Sequence, residues 1–557
     1  MNQGTQTTDR DAADQSVARD FIQLPRRQVI LTMVGLLMAL FLAALDQTIV
    51  STAMPRIIAD LGGFDRYTWV TTAYLVASTV AVPIVGRLTD IYGRKIFFIG
   101  GISVFILGSV LAGMSESMTQ LIAFRAIQGL GGGVIMANSF VAIADLFPPE
   151  ERGKFQGFLG VVFGMSSVIG PTLGGFITDN FSWSWIFLIN VPVGVPVLLL
   201  IAWLFPKITP EVESRKLDYA GMVTLILAVT PILLALSWGG VQYAWVSPQV
   251  LGFLAFGLVM GIAFVVIESR TDSPIMPLEI YRNQMVAVSL IATFLTGFGM
   301  FGAIIFIPLF FQGVLGASAT SSGSFLTPMM LGIVFGATLS GQLLSRTGGH
   351  YRVQAIIGTG LMMLGAILIS TMNPETNFPR AVGYIVVLGV GLGATFPTFT
   401  LSVQNSVPFR LMGISTSALQ FYRSIGGMLG LAILGSVMAG RFASKLEDTV
   451  PENISAALPP GQLDAIKDNP QALIDPSAVD RLSAGFTQAG PDGARLVETL
   501  LGSLKSALAG AISDVFILAS VVLALSLVVS LFLHRSGFTM PETGGDNAPG
   551  EMPERRT

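Results

Sequence analysis

Leu42-Ala-Ala-Leu-Asp-Gln-Thr-Ile-Val-Ser-Thr-Ala-Met54 closes the first long apolar segment of the chain, and Asp46 sits inside it. A stretch this apolar and this long is read as a membrane-spanning helix. An ionised carboxylate in hydrocarbon costs at least ~2.5–3.5 kcal/mol, so intramembrane acids mark pathways or proton relays. Arg125 lies three spans later at a similar calculated depth, about 10 Å below the same boundary at 1.5 Å per residue. The two point to a membrane protein that moves something, with a proton involved.

Composition supports many spans. Of 557 residues, 52% are hydrophobic and only 12% charged, and mean hydropathy is +0.70, which no soluble domain of this size requires. The 62 glycines suit helices that approach closely in lipid. There is no cysteine, which excludes disulfides and thiolate metal sites, and only two histidines, His350 and His534, both beside predicted loops. No metal and no cofactor are therefore expected, and no nucleic acid partner. The polar 28-residue N-terminal tail lacks a small-residue cleavage site, so a removable signal peptide is not expected.

Fourteen spans are predicted, near 29–53, 68–86, 96–114, 119–143, 155–178, 186–205, 217–236, 248–267, 285–307, 320–342, 353–372, 381–403, 413–440 and 511–533. With both termini on one side, the tails and short loops of that side hold 20 Lys and Arg residues against three on the other, which predicts cytoplasmic termini. Gly86-Arg-Leu-Thr-Asp-Ile-Tyr-Gly-Arg-Lys95 and Gly341-Gln-Leu-Leu-Ser-Arg-Thr-Gly-Gly-His350 occupy equivalent turns eight spans apart. Duplication accounts for that placement. It divides the chain into a cytoplasmic tail (1–28), a six-helix half (29–206), two inserted helices (207–282), a second six-helix half (283–540) and a tail (541–557). The second half contains a long outer loop, 441–510, in which Leu496 to Leu508 has helical apolar spacing and could cover a vestibule or lie on the membrane.

Asp46-Gln-Thr-Ile-Val with Pro55, the Gly86–Lys95 loop, Arg125-Ala-Ile-Gln-Gly129 and Gly170-Pro171-Thr-Leu-Gly-Gly175 resemble signatures of the major facilitator superfamily. Fourteen spans and Trp185-Ile-Phe-Leu-Ile-Asn-Val-Pro-Val-Gly194 narrow the resemblance to the fourteen-helix drug:proton antiporters. It implies an all-α fold of two six-helix halves plus two inserted helices, in a bacterial cytoplasmic membrane, working by alternating access. It implies proton coupling by Asp46 with Arg125 and Gln128. It implies a gating loop in which Asp90 caps a helix of the opposite half and an arginine of the loop, Arg87 or Arg94, pairs with Asp145 or Glu151, beside Gly86, Gly93 and Lys95. The second copy of the loop lacks the acid, and its gating role is doubtful. The resemblance also implies a packing motif of Gly164, Gly170, Pro171, Gly174 and Gly175, in which Pro171 should bend the helix.

Candidate cavity residues are Trp69, Tyr74, Asn138, Phe396, Gln404, Gln420, Tyr422 and Arg423. Arg423 lies near the midplane with no acid inside spans 9–13 to pair with, so a carbonyl, a substrate anion or Asp46 remains open as its partner. With Asp46 the only clear deep carboxylate, lipophilic monovalent cations, neutral amphiphiles or lipids suit the site better than divalent cations. The leading expectation is a monomeric, proton-driven exporter of amphipathic drugs in the lipid bilayer, with an accessory envelope protein as a further partner. Export of lipids or glycolipids is the alternative. A non-transporting receptor or scaffold would leave Asp46 and Arg125 without purpose. No phosphate-binding glycine loop occurs to support an ATP-driven pump, and no His- or Cys-based site to support an enzyme.

Overall fold

The computed structural model describes residues 25–63, 66–207, 216–240, 242–316, 319–347, 349–451, 454 and 493–534. Every predicted span is a helix, and none of the described residues forms a named strand. The helices are α1 Arg26–Leu61, α2 Thr68–Tyr92, α3 Arg94–Gly113, α4 Met118–Leu146, α5 Glu151–Asn180, α6 Trp185–Leu204 and α7 Tyr219–Trp238. They continue as α8 Pro248–Glu268, α9 Gln284–Gly313, α10 Leu326–Thr347, α11 Tyr351–Ser370, α12 Phe378–Gln404, α13 Phe409–Thr449 and α14 Arg495–Ser530.

The packing repeats under an offset of eight helices. In the first six, α2 and α3 pack on α4, α1 packs on α5, and α6 closes against α1 and α3. In the last six, α10 and α11 pack on α12, α9 packs on α13, and α14 closes against α9 and α11. The two sets meet along α2 with α13 and α5 with α10, a pair of contacts related by the same offset. Helices α7 and α8 stand outside the repeat, pack on one another, and touch the bundle mainly through α7 on α2 and α13.

Helices α6, α13 and α14 differ from their predicted extents, each for a physical reason. Helix α6 is interrupted between Trp185–Leu188 and Asn190–Leu204. Pro192 has no N–H to return to the Leu188 carbonyl. Helix α13 runs to Thr449 and α14 begins at Arg495, so both ends of the 441–510 loop are helical. Leu500, Leu504 and Leu508 are buried in one apolar cluster with Met438, Phe442 and Leu446, and Arg441 and Lys445 reach Asp514. The amphipathic stretch Leu496–Leu508 is thus the start of α14, packed on α13, rather than a helix lying on the membrane. Most of the remainder of that loop lies outside the described residues. Finally, α5 continues unbroken through Pro171.

Candidate functional site

Asp46 is fully buried on α1 and receives three donors from two other helices. Arg125 Nη1 on α4 donates to its Oδ2 at 2.5 Å. Gln128 Nε2, one turn further along α4, donates to Oδ1 at 2.8 Å, and Asn190 Nδ2, at the break in α6, donates to the same oxygen at 3.1 Å. Arg125 also donates to Gln128 Oε1 at 2.8 Å. Because a guanidinium can only donate, that bond fixes the amide orientation and turns the Gln128 NH2 group toward Asp46. Ser109 on α3 accepts from both amides, at 3.1 and 2.9 Å, and gives its own proton to the Phe187 carbonyl. Every group facing Asp46 is a donor, the arrangement an ionised carboxylate requires. Tyr74 and Phe187 place their rings 4.4 and 5.8 Å from the Arg125 guanidinium carbon and keep the cluster dry. Asn190 and Ser109 were missed by the sequence reading. Asn190 was visible inside the Trp185–Gly194 motif, but only the break in α6 aims it inward.

The second constellation lies where the basic loops are. Gly93 takes φ +88°, a backbone state that favours glycine, and turns the chain from α2 into α3. Arg94 then reaches back to Asp90 at 3.0 Å and across to Asp145 at the end of α4 at 2.5 Å. Glu151 is exposed at the start of α5 and does not take that place. The two oxygens of Asp90 accept the backbone N–H groups of Gly413 (2.9 Å) and Ile414 (2.8 Å) at the N-terminus of α13, an anion on the positive end of a helix of the other set. Two further ties cross the same seam: Arg152 Nη1 donates to Asn405 Oδ1 at 3.0 Å, and Gln404 Nε2 donates to the Phe140 carbonyl at 3.1 Å. This end of the bundle is closed. Lys95 is half-buried beside the turn.

The first glycine of each ten-residue repeat performs the same task. A Cβ on Gly86 would meet Ser417 and the Gly413 carbonyl, and one on Gly341 would meet the Gly153 carbonyl. These pairs are related by the eight-helix offset, and each lets two backbones touch across the seam. The second loop lacks the acid yet keeps this contact. We expect Gly341→Val to force α10 from α5 at an overpacking cost of about 1–3 kcal/mol. The measurable result is faster labelling of a cysteine placed at Gln156, buried beneath that contact. An unchanged labelling rate would remove the contact's sealing role.

On α5 the packing glycines serve two partners. Gly153, Gly157, Gly160 and Gly164 face α10, whereas Gly170 and Gly174 face Thr48 and Thr52 on α1. Gly175 faces open space, and Pro171 is half-buried between these contacts. One helix therefore touches both the Asp46 helix and the opposite set.

The cavity candidates fall in different places. Trp69 packs at a tilt against Trp238 of α7, with ring centroids 4.7 Å apart. Tyr74 belongs to the Asp46 cluster. Gln404 is one of the seam ties. Tyr422 points to Tyr281 in the connector before α9, with hydroxyls 3.3 Å apart, and burial pushes the Tyr281 phenol above its usual range. Arg423 lies over the ring of Phe396, 4.1 Å from its centroid, and donates to Gln420 at 2.5 Å. Asn138 is fully buried, and neither of its amide atoms makes a hydrogen bond among the described residues. Behind Arg87, the inserted helices contribute two buried acids that sequence reading passed over. Asp218 caps α7 through Gly221, and Glu268 accepts the N–H groups of Ile275 and Met276. Among the described residues Asp218 Oδ2, Glu268 Oε2 and Arg87 Nε make no hydrogen bond. Among the described residues no cluster of His, Cys, Asp and Glu could hold a metal ion.

Comparison with known proteins places this architecture. The chain is 39% identical over 521 residues to the multidrug transporter protein MdtP of Bacillus subtilis, covering 91% of this chain and 93% of that one. It is 38% identical over 502 residues to multidrug resistance protein 3 of the same organism, covering 90% and 94%. The crystal structure of the human organic anion transporter MFSD10 superposes with a TM-score of 0.54 at 15% identity, over 90% of this chain and all of that one, a likeness of fold alone. The profile of the Major Facilitator Superfamily matches residues 36–431. With fourteen membrane helices and these relatives, the chain is a multi-pass transporter rather than an enzyme, and it belongs to the Major Facilitator Superfamily.

Proposed function

We propose that this protein is a proton-coupled antiporter that exports amphipathic, largely apolar compounds from the cytoplasm by alternating access. It works as a monomer without a cofactor, in a bacterial cytoplasmic membrane, with both termini inside. The observation that carries the reading is Asp46, a buried carboxylate surrounded only by donors. Protonating it costs the Arg125 ion pair and forces one facing amide to turn over, so proton binding has a structural consequence. The basic-loop end is closed by Asp90, Arg152 and Gln404, which supports a state facing away from the cytoplasm, where Asp46 would await a proton from outside.

A route from proton to gate follows from packing. Thr48 and Thr52 lie one-half and one-and-a-half turns beyond Asp46 and carry Gly170 and Gly174 of α5, whose other end lies on α10 of the opposite set. A change at Asp46 therefore moves a helix that both sets share. The multidrug relatives support small amphipathic cargo, which a mostly apolar cavity holds through area and a few polar groups.

The test is accumulation of an amphipathic dye by inverted membrane vesicles with an acidic lumen. The expected result is uphill uptake that releases lumenal protons and stops when nigericin collapses the pH difference. Uptake that is indifferent to nigericin in the absence of a membrane potential would remove the coupling.

A further inference from the structure

Arg423 is a buried charge within the bundle that the coupling site and the seam locks leave unused. It lies on α13 near mid-membrane and is 6% exposed. Among the described residues its guanidinium donates only to the neutral Gln420 side chain, and no carboxylate pairs with it. Its flat face lies on Phe396. That ring packs against the apolar cores of both six-helix sets, which puts Arg423 at the seam where alternating access must open a path. Gly297 of α9 presses on the Arg423 backbone carbonyl and fixes this turn of α13 from behind.

A guanidinium held in this way is unfavourable by itself. Ring contact and one amide offset part of the desolvation, but an isolated buried cation remains short of a counter-charge. The Asp46–Arg125 pair cannot supply it, because that pair is already neutral. With Asp46 ionised these three groups carry one surplus positive charge, and with Asp46 protonated they carry two. A cationic cargo would add to that excess, whereas an anionic cargo cancels it.

We propose that Arg423, with Gln420 and Phe396, is an anion subsite, and that the transported compounds are amphiphiles bearing an oxyanion such as a carboxylate or sulfonate beside an aromatic or aliphatic body. This rests on the transport reading above and narrows its cargo. The guanidinium fork takes two oxygens of the anionic group, while the Phe396 ring and the apolar seam take the body. Charge counting gives a second consequence. One-for-one exchange of a monoanion for a proton moves two charges, whereas exchange of a monocation moves none, so export of the anion draws on the membrane potential as well as the pH difference.

The experiment uses purified full-length protein in phosphatidylcholine vesicles with an acidic lumen. An aromatic sulfonate dye is compared with ethidium for wild type, Arg423→Gln and Arg423→Lys. Wild type should transport the sulfonate, faster when the lumen is made positive with potassium and valinomycin. Arg423→Gln should raise its KM about 10- to 100-fold and lower the ratio of sulfonate to ethidium transport by a similar factor, and Arg423→Lys should recover part of the loss. If Arg423→Gln does not fold, binding to wild type decides: the sulfonate should raise Tm and ethidium should not. Equal loss for both dyes would make Arg423 a structural or coupling residue and overturn the subsite. Proton-driven transport of ethidium alone by wild type would overturn the subsite while leaving the antiport reading intact, and no proton-driven transport of any dye would remove both. Phosphatidylglycerol competing with the sulfonate would make a lipid headgroup the occupant and overturn the cargo assignment.

Discussion

Asp46→Asn should abolish accumulation against a gradient while leaving downhill exchange. Under the antiport proposed above, one proton per turnover and a pH difference of one unit would sustain roughly a tenfold concentration ratio in wild type, since each unit is 1.36 kcal/mol. In the variant the ratio should fall to one at any pH difference, because no group at the site changes charge. The substitution also removes the counter-ion of Arg125, and breaking a buried pair on one side costs about 3–5 kcal/mol. The new amide oxygen can accept from Arg125 and recovers part of that. The double variant Asp46→Asn/Arg125→Gln separates folding from coupling. It leaves no uncompensated charge in the cluster, so its Tm should recover toward wild type while accumulation stays absent. Uphill accumulation by either variant, measured in the vesicles described above, would move the coupling proton elsewhere.

What could be read from the chain and what could not follows from the range of the forces involved. Span count is a local property of twenty-residue windows, and every predicted span is a helix. The Asp46–Arg125 pairing was inferable because an intramembrane charge demands a counter-charge and few were available at that depth. Gln128 came with the family resemblance, and the members from α3 and α6 were not legible. Asn190 and Ser109 are ordinary polar residues in apolar helices, and only tertiary packing tells an inward-facing asparagine from one that caps a turn. Packing likewise separated the cavity candidates. Trp69 lies against an inserted helix and Gln404 bridges the seam, and neither destination is written in the local pattern. The two loop repeats were aligned on glycines, and their close backbone contacts give those glycines a reason. Gly348, the eighth residue of the second repeat, lies outside the described residues, and the left-handed turn there is made by Gly349. The length of α13 and α14 beyond the membrane escaped because a twenty-residue window does not register helix that continues into water as a packed pair.

Asp90→Ala should shift the resting population toward the state open at the basic-loop end. Asp90 satisfies two N–H groups at the start of α13 that have no helical partner and holds Arg94 in place against Asp145. Charge-assisted bonds of this kind contribute about 1.5–3 kcal/mol each where water is excluded. When that end opens, water takes over the freed donors, so the difference between the two states is smaller than the sum, about 2–3 kcal/mol. That is roughly a 30- to 150-fold change in their ratio at 1.36 kcal/mol per decade. The substitution leaves Asp46 and its donors untouched, so coupling chemistry persists while the gate is biased. The natural chain has no cysteine, so spin labels can be placed without a cysteine-free background. Labels at Tyr92 and Arg346 report the basic-loop end, and labels at Met114 and Glu375 report the opposite end. The first pair should lengthen in Asp90→Ala and the second should shorten. Asp90→Asn keeps one acceptor oxygen for the α13 N–H groups but loses the charge, and should fall between the two. Unchanged distances in Asp90→Ala would mean that the glycine contacts Gly86–Gly413 and Gly153–Gly341 hold this end shut without help, and that the carboxylate only orders its own loop.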